Sequence, residues 1–310
     1  MNVVLVVVGL VGLYLGGELL VRSASSLARA LGIAPMVIGL TVVAFGTSAP
    51  ELAATLVAAF RGAPELAIAN VVGSNVANIG LILGLTAIAY PLATSASFLR
   101  REVPWMLAAT LLVLPLLFDG RLGRLEGLIL WLALAAFLLA AFRSGGVPDV
   151  LVDEALEAAT AQRRPWRDAL GVAAGVAVLA YGAHALVTGA TALALIWGVP
   201  ERVIGLTLVA LGTSLPELAS SLVAALRRET DIILGNVIGS NLFNLLAVLG
   251  TAAVVHPVEV PVAGLRLDLA IMLGFALAVV PLMLVGRRLG RRDGALLLAA
   301  YVTYVVWLYL

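Results

Sequence analysis

Two glutamates, Glu51 and Glu217, each directly follow a proline inside a long apolar stretch, in the segments GTSAPELA from Gly46 and GTSLPELA from Gly212. A carboxylate at such depth costs at least ~2.5 kcal/mol on insertion scales, so it is a functional candidate by default. The chain contains no lysine, and no arginine falls within either segment. A bound cation or a proton is the remaining neutraliser; the competing reading is a protonated carboxyl bonded to a neighbouring helix, and it has to hold at both copies. Pro50 and Pro216 lack an N–H donor and clash with the carbonyl one turn earlier, so the helix kinks or breaks there. That break releases carbonyls around Ala44, Phe45 and Gly46, and around Ala210, Leu211 and Gly212, toward a protein-lined cavity. Thr47, Ser48, Thr213 and Ser214 add hydroxyl oxygens, although such hydroxyls often bond their own helix backbone instead.

A second pair of segments, VVGSNVAN from Val71 and VIGSNLFN from Val237, supplies Ser74, Asn75 and Asn78, and Ser240, Asn241 and Asn244. Ser74 and Asn78 are four apart and share a helix face. Gly73 and Gly239 permit close backbone approach or a local break, while these glycines, with Gly46 and Gly212, also suit tight helix packing. Every candidate ligand is an oxygen. Two carboxylates with carbonyls, hydroxyls and amides suit a hard cation taking about 6 to 8 ligands, namely calcium. Soft metals are disfavoured, because the chain has no cysteine and neither histidine lies in a motif. One divalent ion neutralises both glutamates, and so do two or more monovalent ions in the same cage. Competition for one cage is antiport.

The elements that position these residues follow from composition. Hydrophobic residues make up 62% of the 310, charged residues 12%, and the mean hydropathy is +1.11. A spanning helix needs roughly 20 apolar residues, so this is a membrane protein with about ten spans. Apolar runs place them near 2–22, 35–60, 66–90, 103–118 and 124–142, then 168–196, 202–226, 232–255, 266–286 and 294–310. A polar linker, 143–167, separates the first five-helix repeat (1–142) from the second (168–310). The formal charge of +1 and scattered arginines argue against nucleic acid as a partner. The apolar start has no basic leader, and reads as a retained first helix.

Gly46 and Gly212, like Val71 and Val237, lie 166 residues apart, so the halves are copies. Five crossings per copy force the second to enter the membrane upside down. Inverted repeats bring equivalent motifs together near the midplane, the geometry of alternating access. The expected fold is an all-α polytopic membrane protein of two inverted five-helix repeats, with helices 2, 3, 7 and 8 broken. Arginines concentrate in alternate connections, placing the central linker in the cytoplasm and both termini outside.

The paired GTS-x-PE and GSN-xx-N motifs resemble the two alpha repeats of the cation/calcium exchanger superfamily, specifically its sodium/calcium exchanger branch of prokaryotic type. The resemblance covers both repeats closely and the ten-helix plan generally. It implies Glu51 and Glu217 at a calcium position flanked by sodium positions, with Ala44, Thr47, Ser48, Ser74, Asn78, Ala210, Thr213, Ser214, Ser240 and Asn244 as further metal ligands. It also implies an antiporter of the cell (inner) membrane and not an enzyme, surrounded by lipid and acting as a monomer. Calcium and sodium are its substrates, and no cofactor is expected. Asn244 departs from several relatives, including potassium-dependent exchangers, which carry an acid there. The proton-coupled branch has GN-x-x-E in place of GTS-x-PE, so sodium is the expected counter-ion, with proton/calcium antiport as the alternative.

Two further classes compete. A calcium channel calls for a continuous pore and usually an oligomeric ring of acids; an intramembrane hydrolase calls for a repeated base to activate Ser48 or Ser214, and there is none. Glu18 and His184 also lie 166 apart but differ in chemistry, and read as packing or interfacial groups. The acids between Asp149 and Glu157 read as a solvated helix, with no D-x-D-x-D-G ion loop. Trp105, Trp131, Trp166 and Trp197, near expected span ends, fit an aromatic belt.

Overall fold

The structure, a computed structural model, describes residues 1–117, 120–144, 165–198, 210–259 and 262–309. The linker acids Asp149–Glu157, Arg163, Arg164, Arg202 and the first part of the seventh span, 202–209, lie outside these residues. The described chain is helical almost throughout: α1 (Asn2–Leu31), α2 (Pro35–Thr47), α3 (Ala49–Phe60), α4 (Pro64–Ala89), α5 (Ala96–Leu116), α6 (Arg124–Ser144), α7 (Pro165–Ile196), a single turn at Ala210–Gly212, α8 (Leu215–Leu226), α9 (Thr230–Val255), α10 (Val262–Leu284) and α11 (Arg291–Tyr309). Four two-residue strands join loops: β1 (Leu92–Ala93), β2 (Arg121–Leu122), β3 (Val258–Glu259) and β4 (Arg288–Leu289).

Six of these helices are long and apolar enough to cross a membrane alone, and the broken pair α2 and α3 makes a seventh. Helix α5 falls short because Arg100, Arg101 and Glu102 lie inside it, and α11 opens on Arg291, Arg292 and Asp293. Two boundaries differ from expectation for the same reason. Long arginine side chains can reach toward an interface without ending a helix. Thus α1 runs past Arg22 to Leu31, where Gly32 at φ 65° returns its N–H to the Ala28 and Arg29 carbonyls. Helix α5 begins at Ala96, capped by Ser95 Oγ accepting from Phe98 N at 3.1 Å. Trp105 therefore lies more than two turns inside α5, edge-on to Phe137 at 5.9 Å, rather than at a span end. Trp166 and Trp197 do flank α7 and are exposed.

The chain forms two compact units, and each takes segments from both sequence copies. The first contains residues 1–47 and 138–236. Its main contact is α1 against α7, the first spans of the two copies, and glycines bring their backbones together. A Cβ on Gly9 would meet Leu186 N at 2.5 Å, one on Gly16 Leu179 N at 2.7 Å, and one on Gly175 Leu20 N at 2.7 Å. Partner numbers fall on one helix as they rise on the other, so these equivalent spans run antiparallel. The second copy is inverted relative to the first.

The second unit contains residues 48–137 and 237–310. Here β1 pairs antiparallel with β4, Leu92 opposite Leu289, and β2 with β3, Leu122 opposite Val258. Each ladder joins a third-to-fourth-span loop of one copy to a fourth-to-fifth-span loop of the other. Those loops share one end of the bundle only when the copies are inverted, so the ladders repeat the conclusion drawn from α1 and α7. Backbone approaches recur in the same way: a Cβ on Gly294 would meet Gly84 O at 2.6 Å, and one on Gly127 would meet Gly250 O at 2.8 Å.

Helices α4 and α9 are the interior ones. In their most apolar stretches 78% and 100% of residues are buried, against 28% to 33% for α1, α6, α7 and α10. The outer helices turn side chains such as Val3, Val7, Leu128, Leu132, Leu277 and Leu284 outward, a surface suited to lipid. Breaks in the third and eighth spans take a particular form: neither is cut, but each holds a π-helical turn, Asn78–Leu83 and Phe243–Val248, directly after its GSN motif. A further π turn, Gly39–Val43, lies in α2.

The glycine contacts set an expected outcome. Gly182→Ala would put a Cβ 2.7 Å from Leu13 N and lower the melting temperature of the purified protein, overpacking of this kind costing about 1–3 kcal/mol. Gly274→Ala, on α10 with nothing within 4 Å, is expected to leave it unchanged or slightly raised. Equal melting curves for G182A and wild type would contradict the packing described.

Candidate cation-binding residues

The prolines of the GTS-x-PE motifs do not sit in the middle of a bent helix. They stand in the first turn of a new one, where a missing N–H has no partner to lose. Ser48 (φ −82°, ψ 5°) and Ser214 (φ −90°, ψ 5°) are the junctions, with nearly the same backbone in both copies. Glu51 and Glu217 thereby fall in the first turns of α3 and α8. Unbonded N–H groups and the positive end of the helix dipole favour a carboxylate there. Both glutamates are 1% exposed, so the favourable helix end offsets only part of the burial cost. Gly46 and Gly212 pack against α7: a Cβ on either would meet a Val176 or Val187 methyl at 2.6 Å. Gly73 differs, with open space where a Cβ would stand.

In the first unit a buried amide organises the end of α2 and the start of α8. Asn236 Oδ1 lies 3.1 Å from Thr47 Oγ1, while its Nδ2 donates to Ser220 Oγ at 3.2 Å and Ser221 Oγ at 3.0 Å. Ser220 Oγ in turn donates to the Glu217 carbonyl at 3.0 Å. Thr47 Oγ1 is also 3.1 Å from Val43 O and 3.4 Å from Ala44 O, so one hydroxyl proton serves three acceptors. Back-bonding of this hydroxyl to its own helix, the competing reading of the threonines, is therefore present at Thr47. Ser214 is buried and Thr213 half-buried; the backbone of Ala210 lies in the turn before them.

In the second unit Asn70 Nδ2 donates to the Glu51 carbonyl at 3.3 Å and to Thr55 Oγ1 at 2.9 Å. Asn70 and Asn236 are 166 residues apart, as are Thr55 and Ser221, so both copies tie the glutamate helix to the following helix with the same amide-to-hydroxyl bond. Spacing alone could have revealed this pair, which sits just before the GSN strings. Ser48, Ser74, Asn75, Asn78, Ser240, Asn241 and Asn244 are all buried. Asn78 Nδ2 donates to Asn241 Oδ1 at 3.4 Å, drawing together the motifs of α4 and α9. Asn75 Oδ1, Asn78 Oδ1, Ser240 Oγ and both amide atoms of Asn244 are buried without a hydrogen-bond partner among the described residues.

Unpartnered buried acceptors of this kind each cost about 1–3 kcal/mol, and a cation satisfies them. Among the described residues no three acids or histidines gather, so neutral oxygens would form most of any cation's shell. Glu18, by contrast, is engaged by Arg227, which donates to it through Nε at 2.8 Å and through Nη2; His184 is exposed on α7. Replacing Asn236 by leucine removes its bonds to three buried hydroxyls, and Asn236→Leu is expected to lower the melting temperature by about 2–6 °C. Asn70→Leu, at a half-buried position, is expected to cost less. Thermal unfolding in detergent measures both, and no shift in N236L would contradict the network.

Comparison with known proteins agrees with this architecture. A profile of sodium/calcium exchanger proteins matches residues 1–143 and 168–310. The chain is 39% identical to a putative antiporter, CaxA, of Alkalimonas amylolytica, over 97% of this chain and 96% of that protein. It is 32% identical to the sodium/calcium exchanger MaX1 of Methanosarcina acetivorans, covering 99% and 98%. The solved sodium-calcium exchanger NCX_Mj, in a form soaked without sodium or calcium, superposes with a TM-score of 0.87 at 30% identity and covers 98% of each chain. The inverted halves, the paired proline-glutamate helix starts and these likenesses together make the chain a member of the sodium/calcium exchanger family, integral membrane transporters that exchange cations.

Proposed function

We propose that this protein is a sodium/calcium antiporter in which Glu51 and Glu217 are calcium ligands, neutralised in turn by calcium and by sodium. The observation carrying this reading is the set of buried, unpartnered oxygens on the two most interior helices, at Asn75, Asn78, Ser240 and Asn244. Neutral amide and hydroxyl oxygens suit hard cations. They bind no proton near neutral pH, which favours sodium over a proton as counter-ion. Carbonyls of Ala44 and Ala210 and hydroxyls of Thr47, Ser48, Ser74, Thr213, Ser214 and Ser240 complete the proposed ligand set, with Asn78 and Asn244. Chain copies in opposite orientations support alternating access rather than a fixed pore.

Orientation follows from charge. The β1·β4 ladder gathers Arg287 and Arg288 beside the start of α5, with Arg100 and Arg101, and the start of α11, with Arg291 and Arg292. The β2·β3 ladder has Arg121, with Arg124 beside it. An arginine-rich end faces the cytoplasm, so both termini lie outside the cell (inner) membrane in this reading. Each chain carries a full set of ligands, consistent with action as a monomer.

Calcium uptake into sealed proteoliposomes tests the function. Uptake is expected when vesicles are loaded with sodium and not with potassium, and Glu51→Gln or Glu217→Gln is expected to reduce it by more than about tenfold, since each substitution removes a charge-assisted ligand. Uptake that follows an imposed proton gradient without sodium would replace this reading with proton/calcium antiport, and no uptake under either gradient would remove calcium antiport altogether.

A further inference from the structure

Met106 on α5 and Met272 on α10 are 166 residues apart, and each contacts the GSN asparagine of the other copy. Asn241 Nδ2 donates to Met106 Sδ at 3.7 Å, and Asn75 Nδ2 donates to Met272 Sδ at 3.8 Å. Both methionines are buried. A leucine would fill much the same space. What a thioether adds is polarity: its sulfur accepts a weak hydrogen bond and has no proton to give.

That restriction matters because a side-chain amide has two ends of similar size and opposite function. Turned one way it offers a carbonyl oxygen, turned the other an NH2 group. A cation attracts the first and repels the second. Against an acceptor-only sulfur, Asn241 has to place its NH2 on Met106, which leaves Oδ1 on its far side. There Asn78 Nδ2 donates to it at 3.4 Å. Asn78 thus has its own NH2 occupied, and its Oδ1 is left buried and without a hydrogen-bond partner among the described residues. The orientation is transmitted from sulfur to amide to amide.

We propose that Met106 is a positioning residue for cation binding, fixing through Asn241 the orientation in which Asn78 offers oxygen rather than NH2 to the transported ion. Met272 stands at the start of the equivalent chain in the other copy, which stops after one link. It takes the NH2 of Asn75, whose Oδ1 is unpartnered, and both amide atoms of Asn244 are unpartnered as well. The two copies therefore differ in the second link: Asn78 is held in one orientation, and Asn244 makes no such bond among the described residues. This inference rests on the antiport reading, in which Asn78 is a ligand.

Two readouts separate the inference from that reading: calcium exchange in proteoliposomes, and calcium-dependent thermal stabilisation of the purified protein, which reports binding whether or not exchange occurs. Met106→Leu keeps the bulk and removes the acceptor. It is expected to raise the half-saturating calcium concentration about three- to tenfold in both assays, with the maximal rate little changed. Asn241→Leu cuts the same chain at its middle link and is expected to give the same signature. Met283→Leu, the loss of a buried thioether away from these amides, leaves affinity unchanged. In an Asn78→Ala background M106L adds nothing further. The inference is overturned if M106L and N241L bind calcium as wild type does, if they lower only the maximal rate, or if the effects of M106L and N78A add in full. Wild-type protein stabilised by calcium but unable to exchange it would sink the antiport reading alone; wild type that binds no calcium would sink both.

Discussion

Two carboxylates buried in an apolar bundle, one in each sequence copy, are the constraint on which this structure turns. Glu51 and Glu217 are almost fully buried, the chain has no lysine, and the motifs hold no arginine. Both motif glutamates stand at helix starts, whose dipoles favour a carboxylate but offer only a fraction of a charge. Polar side chains gather around each glutamate helix. Ser48 and Ser214 break the helices so that each glutamate falls in a first turn, and the buried asparagines fix the neighbouring hydroxyls.

Almost every feature of this arrangement occurs twice. The glycine contacts between α1 and α7, the two strand ladders, the Gly84–Gly294 and Gly250–Gly127 approaches, and the Asn70 and Asn236 bonds all have a mate in the other copy. Several of them join one copy to the other. An inverted duplication therefore supplies the packing partners of each half. Departures from the pattern stand out against this background, and Asn244 is the clearest, because its amide lacks the bond that its counterpart Asn78 makes.

The duplicated strings and the odd number of spans were enough to read the class and the inversion, and each proline marked a helix break without showing that the following glutamate stands in the first turn of a new helix. Other features left weaker traces. Arginines at 22 and 100–101 resembled helix ends because charge usually marks them, yet the helices continue through, since arginine side chains reach outward while the backbone stays bonded. The π turns at Asn78 and Phe243 have no residue signature. Two-residue strands are too short for an alternating pattern to register. Asn70, Asn236, Met106 and Met272 were visible only through their separation, because a single asparagine or methionine in an apolar run says nothing alone. Which side chains pair across the copies depends on how helices cross, and that is a tertiary fact.

The composition of the two compact units has a bearing on biosynthesis. The first unit is complete once residue 236 has left the ribosome, but the second, begun at Ser48, needs the chain through to the last helix. Helix α4, with Ser74, Asn75 and Asn78 along it, thus enters the membrane well before α10 and α11, which provide Met272 and the packing surface around Gly84. For most of translation those polar side chains lack their final neighbours. The polar face of α4 is thus closed by helices that lie far downstream in the chain.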